Sequence, residues 1–367
     1  MQRAIDLAAL GRYTTSPNPN VGAVIVLDGQ IVGEGYHQQA GGPHAEVFAL
    51  RQAGAQARGA TCYVTLEPCS HYGRTPPCAL ALIDAGVGRV VIAMQDPNPQ
   101  VSGRGVKLLQ DAGISVDIGC LTAKARALNP GFLHRMQQQR PFVRLKLAAS
   151  VDGAIALGNG ESQWLTGPAA REDVQLWRAQ SCAILSTART VMADAAVLNV
   201  RSSQVTALND GQIRQPLRVI LDRQQLLRGD EALFQAGGDI LLIRPPQSAA
   251  SSQALPTQPK RQIFLAEIGL TAQNKFDLPA LLDLLASKNI NLLWVEAGST
   301  LAAEFWQQQL VDELVLYQAP MLLGQGALPM LPIAAMSKLS QAPRWQWQDV
   351  CTVGDDVRLV ARIKGEQ

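Results

Sequence analysis

Hydrophobic and polar positions alternate along this chain in two periods, and the switching between them predicts sheets covered by helices. The apolar run Val21-Gly22-Ala23-Val24-Ile25-Val26 turns at Asp28-Gly29 into Gln30-Ile31-Val32-Gly33-Glu34-Gly35, which reads as a hairpin. From His44 to Ala57 the apolar side chains Ala45, Phe48, Ala49 and Ala53 recur at helical spacing, with Pro43 just ahead. Strands are predicted at Ala60 to Leu66 and Arg89 to Met94, and a helix around Gly105 to Ala112. The polar run Met136-Gln137-Gln138-Gln139-Arg140 ends at Pro141 and cannot continue the preceding helix. We place a boundary there, between a domain over 1–139 and a second over 140–367. The second alternates too, with strands predicted at Phe142 to Ala149, Ala183 to Ser186, Leu217 to Asp222, Asp239 to Ile243 and Leu292 to Glu296. Helices are expected at about Pro168 to Ala179 and Thr300 to Gln308. That order predicts a mostly parallel sheet with a nucleotide site at the strand ends. The Pro/Ser/Gln-rich stretch from Arg244 to Gln262 reads as a surface loop.

Composition narrows the classes open to such a chain. Its 367 residues, 47% hydrophobic and 17% charged, suit two globular domains. A net charge of +2 without a Lys/Arg block offers no footprint for a nucleic-acid backbone, so a small substrate is expected. No apolar run approaches membrane-spanning length, Met1 to Leu7 reads as an amphipathic helix start, and the cytoplasm is the default location. Of six cysteines, Cys62, Cys120, Cys182 and Cys351 are scattered like small core residues of a reducing compartment.

The other two stand in the most informative constellation. His44-Ala45-Glu46, followed by Pro68-Cys69 and Cys78, supplies three zinc ligands and one acid/base. A catalytic zinc site keeps three protein ligands and one position for water. Glu46, two residues from the His and not a ligand, suits the proton carrier of a hydrolytic deaminase. The His lies in a helix's first turn, and Cys69 is expected at a helix start that biases it toward thiolate. Asn18, in a Pro17-Asn18-Pro19 turn, could donate its amide to a heterocycle carbonyl or merely cap the turn. One spacing is unusual, since eight residues separate Cys69 from Cys78 where the common pattern has two.

With that gap the chain resembles the bifunctional riboflavin biosynthesis deaminase-reductase family. The matching residues are Thr15 to Gly22, Gly35-Tyr36-His37, Gly42 to Glu46, Leu66 to Cys78, and Asp96-Pro97-Asn98-Pro99. The resemblance implies a cytidine-deaminase-like three-layer α/β/α domain with one Zn2+ per chain. It also implies that His37, His71 and Arg74 join Asn18 around a phosphorylated pyrimidine. A His/Arg loop is consistent with an anionic substrate.

Within the second half, residues alone point only to an anion site at Glu296-Ala297-Gly298-Ser299-Thr300-Leu301, where a strand gives way to a helix. There the resemblance covers Leu145 to Gly153, Gly160 to Thr166, Leu176 to Ala179, Thr190 to Asp194, Val200-Arg201, Trp294 to Gly298 and Val311 to Leu314. It implies a dihydrofolate-reductase-like α/β domain that binds NADPH at Ala148, Trp164, Thr190, Asp194 and the turn Gly298, Ser299, Thr300, Leu301, Ala302, Ala303, Glu304. Arg223 replaces a serine and still suits the cofactor's 2′-phosphate by charge. By the same carry-over, Ser162, Arg178, the backbone near Leu198, and Arg201 hold the substrate phosphate, while Lys146 and Glu296 orient it and handle the proton. The implied reactions are deamination of 2,5-diamino-6-(5-phosphoribosylamino)pyrimidin-4(3H)-one, then reduction of the ribosyl group, by a homo-oligomer (dimer or tetramer). Ala154, Ala195 and Ala196 depart from the family pattern, so a second half that binds nucleotide without catalysis is the alternative, and the loop at Ala195 is expected to be looser. A nucleoside or tRNA-base deaminase with an unrelated C-terminal domain is disfavoured by the near-neutral charge and the cysteine gap.

Overall fold

The computed structural model describes residues 1–70, 76–98, 102–208, 211–246 and 262–363. The chain divides into two compact units, Met1–Gln139 and Arg140–Gln367. The loop expected between Arg244 and Gln262 lies mostly outside the described residues.

In the first unit the elements are α1 (Gln2–Leu10), β1 (Gly22–Leu27), β2 (Gln30–Tyr36), α2 (Ala45–Ala53), β3 (Thr61–Val64), α3 (Cys78–Asp84), β4 (Arg89–Ile92), α4 (Arg104–Asp111), β5 (Ser115–Ile118), α5 (Thr122–Leu128) and α6 (Pro130–Gln138). Their sheet runs β2-β1-β3-β4-β5, antiparallel about β1 and parallel from β3 to β5. Alternation along β1 builds three layers. Ala23 and Ile25 pack with Ala45, Ala49 and Ala53 of α2 on one face, while Val24 meets Ala4 and Leu7 of α1 on the other. Two glycines let backbone approach backbone where the site needs it. A Cβ at Gly35 would lie 2.4 Å from the Ala45 carbonyl oxygen, and one at Gly105 would lie 2.0 Å from that of Pro68. The start of α2 therefore sits directly on β2, and the start of α4 on the turn before Cys69.

In the second unit follow β6 (Phe142–Ser150), β7 (Ala154–Ala156), α7 (Pro168–Gln180), β8 (Ala183–Thr187), α8 (Ala188–Asp194), α9 (Ser203–Leu208), β9 (Leu217–Leu221), β10 (Ile240–Arg244), β11 (Ile263–Glu267), α10 (Leu278–Ser287), β12 (Leu292–Glu296), α11 (Ser299–Gln307), β13 (Glu313–Ala319), β14 (Leu328–Pro329), β15 (Trp345–Val353) and β16 (Asp356–Ile363). The large sheet has the order β11-β10-β9-β8-β12-β6-β13-β16-β15 among the described residues. It is parallel through β13 and antiparallel in its last two pairings. Leu145, Leu185 and Val295 face one core and Ile184, Trp294 and Val315 the other. Each fully buried aliphatic side chain contributes about 1.5–3 kcal/mol. Strand β12, late in sequence, inserts between β8 and β6. The carboxyl ends of these three strands thus meet at a reversal of strand order, the position where open parallel sheets form ligand crevices.

Candidate functional site

In the first unit, His44 is the extended N-cap of α2 and Cys78 is the first residue of α3. Cys69 lies in irregular backbone after β3, which corrects the expectation that it opens a helix. Pro76 and Pro77 lack amides and would break a helix begun at Cys69, so the helix starts at Cys78 instead. The His44 Nδ1 is 3.2 Å from Cys78 Sγ and 3.5 Å from Cys69 Sγ, and the three donor atoms lie within 4.8 Å of one another. The Cys78 amide donates to Cys69 Sγ at 3.2 Å. Hydrogen bonding from Cys78 first, then from His44, outweighs burial and draws the Cys69 thiol toward thiolate.

Glu46, in the first turn of α2, is 3% exposed, and its Oε2 has no hydrogen-bond partner. Burial raises its carboxyl above the ordinary value. The donor set fits zinc: a nitrogen and two sulfurs converge, and the Glu46 carboxylate, with one oxygen unpartnered, stands close by outside the donor set. Behind the site, the buried Glu67 carboxylate accepts the amides of Asp96 (3.2 Å), Gly103 (3.0 Å), Gly105 (3.0 Å) and Val106 (3.3 Å). It ties the Cys69 turn to the start of α4, a positioning contact that the sequence motif contained without revealing its use.

His37 is 3% exposed beside the site, its ring edge-on to His44 with centroids 5.5 Å apart. Its Nδ1 donates to the Pro43 carbonyl at 2.9 Å, which leaves Nε2 as the acceptor of the Asn18 side-chain amide at 3.0 Å. His71 and Arg74 lie outside the described residues.

In the second unit the crevice at the strand ends gathers Lys146 of β6 and Glu296 of β12, paired in register. Arg178 of α7 clamps Glu296 with both edges of its fork, Nε to Oε1 at 2.6 Å and a terminal nitrogen to Oε2 at 2.7 Å, and spends a third donor on the Asn199 carbonyl at 3.1 Å. The Trp294 indole donates to Glu296 Oε1 at 2.5 Å, and its ring stacks on Trp177 at 5.8 Å. Burial alone would raise the Glu296 carboxyl, but Arg178, with Lys146 and Trp294, holds it down to about 2. Lys146 is half-buried and makes no hydrogen bond or ion pair among the described residues. Burial pulls its ammonium below the ordinary lysine value, against the attraction of Glu296.

Around these groups, Ala148 is half-buried on β6, Ser162 is half-buried, and Arg201 is exposed. Leu198 is buried, in the left-handed region at φ 55. Trp164 is 67% exposed, with the Arg171 guanidinium 4.5 Å above its ring. Thr190 donates its amide to Thr187 Oγ1, and Asp194 is exposed at the end of α8. Arg223 follows β9 and bonds the Asn274 carbonyl. A Cβ at Gly298 would meet nothing within 4 Å, and α11 begins there without a side-chain cap, so the Ser299, Thr300 and Leu301 amides suit an anionic cofactor group. Ala302 and Ala303 are buried beneath them, and Glu304 is paired with Lys275. Gln175, Gln215 and Arg218, close to Leu198, were not legible as site residues. Only Arg218, a charge inside the apolar strand β9 and fully buried, carries a sequence signal.

Comparison with known proteins gives each unit a class. Residues 1–94 match the cytidine and deoxycytidylate deaminase zinc-binding region, and residues 141–359 match the RibD C-terminal domain. The fold and the matched regions are those of a zinc deaminase joined to a reductase. The chain is 50% identical to riboflavin biosynthesis protein RibD of Escherichia coli over 98% of its own length and 97% of the relative's. It is 49% identical to that of Haemophilus influenzae over 100% and 97%. Among solved structures, Acinetobacter baumannii RibD superposes with a TM-score of 0.88 at 44% identity, covering 99% of this chain and 98% of the other. A Thermotoga maritima diaminohydroxyphosphoribosylaminopyrimidine deaminase/5-amino-6-(5-phosphoribosylamino)uracil reductase gives 0.84 at 34%, covering 99% and 97%. The chain belongs to the RibD family, the bifunctional deaminase-reductases of riboflavin biosynthesis, and both zinc and NADPH are its cofactors.

Proposed function

We propose that the first unit deaminates 2,5-diamino-6-(5-phosphoribosylamino)pyrimidin-4(3H)-one and the second reduces the ribosyl group of 5-amino-6-(5-phosphoribosylamino)uracil to ribityl. The observation that carries this reading is the His44, Cys69 and Cys78 donor set beside the buried Glu46, whose Oε2 has no hydrogen-bond partner, within a family that pairs it with a reductase.

His44, Cys69 and Cys78 would hold one zinc ion, which when bound supplies the Lewis acidity that makes water a nucleophile near neutral pH. Glu46 takes a proton from the attacking water and returns it to the departing amino group, so water is consumed and ammonia released. Asn18 presents its remaining amide hydrogen and Oδ1 to the pyrimidine. Both His37 nitrogens are already engaged, so His37 acts by fixing Asn18. The family resemblance also assigns substrate contacts to His71 and Arg74, which lie outside the described residues.

In the reductase, NADPH when bound supplies the hydride. Its place is along Ala148, Trp164, Thr190, Asp194 and Arg223, with an anionic group at the amides that follow Gly298. The ring-opened sugar needs one proton besides the hydride. Glu296, saturated by Arg178 and Trp294 and ionised down to about pH 2, orients rather than protonates. Lys146, with its donors unengaged, is the proton donor. Ser162, Arg201, the remaining hydrogens of Arg178 and the backbone at Leu198 receive the substrate phosphate through charge-assisted bonds.

An assay that follows ammonia and NADPH together tests the pair of reactions. With the diaminopyrimidinone substrate, ammonia should appear before NADPH falls. A zinc chelator should stop ammonia release yet spare NADPH oxidation on the deaminated intermediate. Chelator-resistant ammonia release would defeat the zinc assignment.

We also assign the protein to the cytoplasm, where the ligand cysteines stay reduced, and to a homo-oligomer. Edge strand β15, which pairs with no further strand on its outer side among the described residues, exposes Trp347 and Val350, 56% and 57% accessible. Light scattering should report at least twice the 39.4 kDa chain mass, and Val350→Glu should lower it. A monomer at assay concentration would refute the oligomer.

A further inference from the structure

The segment between α8 and α9 has no regular secondary structure from Ala196 to Ser202, yet Leu198, Val200 and Ser202 are 3%, 2% and 1% exposed. Buried irregular backbone needs hydrogen-bond partners from elsewhere. Here side chains from separate parts of the fold provide them. Gln215, ahead of β9, makes a two-way bond to one residue: its Oε1 accepts the Val200 amide at 2.9 Å and its Nε2 donates to the Val200 carbonyl at 3.0 Å. Gln175 of α7, itself buried, accepts the Arg201 amide at 2.8 Å. Arg218 of β9 donates to the Val197 carbonyl at 3.3 Å and to that of Leu233 at 2.7 Å. Gly238 backs this arrangement, since a Cβ there would lie 2.8 Å from Gln215 Cβ.

These contacts pin the residues on either side of Leu198 and Asn199, whose amides donate to no described residue. Successive amides left free around a left-handed residue form a concavity suited to an anion. We propose that Gln215, with Gln175 and Arg218 behind it, is a positioning residue that presents the Leu198 and Asn199 amides to the substrate phosphate. This rests on the reading that the phosphate binds at Leu198 and Arg201. It also accounts for how the loop keeps its shape with Ala195 and Ala196 where the family pattern has a polar residue and a proline. The carboxamides, which touch no substrate, set the geometry that the loop's own residues do not.

The test uses the full-length enzyme, the deaminated intermediate and the same compound without its phosphate. Gln215→Met keeps the side chain's bulk and removes both bonds. It should raise the reductase KM for the phosphorylated compound about tenfold. Its kcat, its KM for the dephosphorylated compound and the deaminase rate should stay within about twofold. If Gln215→Met melts near the assay temperature, Gln175→Met on a different element is read in the same way. Arg201→Ala runs in parallel to test the phosphate reading itself. A KM raised by Arg201→Ala but by neither glutamine variant overturns the positioning role and leaves the phosphate site standing. A KM raised by none of them overturns both, and one raised equally for the two compounds marks Gln215 as structural only.

Discussion

Glu46→Gln should lower ammonia release by about 10²- to 10⁴-fold, the range for loss of a positioned general acid/base. Zinc content should stay at one per chain, and reduction of the deaminated intermediate should be untouched. The split follows from the geometry. Glu46 lies two residues beyond His44 in the first turn of α2, and its Oε2 makes no hydrogen bond. A glutamine fills the same buried volume but can neither take the proton from water nor return it to the amine. The His44, Cys69 and Cys78 donors are unchanged by it. Metal analysis beside the ammonia assay decides the matter: near-normal release, or loss of zinc, would remove Glu46 from the role of proton carrier.

Lys146→Met should lower the reductase kcat by about 10²- to 10⁴-fold and leave ammonia release unaltered. The wild-type profile gives a second signature. Burial lowers the Lys146 ammonium from its ordinary value, and the protonated form is the acid. Reductase activity should therefore fall as pH rises through a value below the usual lysine range of about 10.4. The Met variant should lack that alkaline limb. A variant that keeps both its rate and the limb would exclude Lys146 as donor. Lysine is a cleaner target than its neighbour. Removing Glu296 would strand the buried Arg178 charge, a loss of about 3–5 kcal/mol that would confound the rate with folding.

The sequence made β6, β8, β9, β10 and β12 legible because they are largely buried apolar runs, whereas β13, equally buried and parallel to β6, was not read from it. The stretch Leu292 to Val295 is an unbroken apolar run, and the strand read over Leu292 to Glu296 forms as β12. Strand β15 was missed because six of its nine residues are exposed and none is buried, so it carries no core-facing pattern. Strand β5 is short and largely exposed as well. For the deaminase site, His44, Glu46, Cys69 and Cys78 lie within 35 residues of one another in recognisable spacing, and the donor set converges in space. The helix start was misplaced from Cys78 to Cys69, because a ligand spacing does not say where two prolines redirect the chain. Contacts such as Gln215 to Val200 or Trp294 to Glu296 depend on rotamers and on packing between elements, which no local pattern encodes. Glu67 shows the same limit, since its four amide partners come from beyond β4.

The stacked pair Trp177 and Trp294 lies beneath Glu296, and all six tryptophans of the chain fall at or beyond position 164. The deaminase unit is therefore silent in tryptophan emission. Selectively excited tryptophan emission of the unlabelled enzyme follows the reductase unit alone, whereas far-ultraviolet dichroism follows both. Where the two melting curves part, the difference belongs to the zinc-binding unit, so the stability of each half can be tracked within the intact chain.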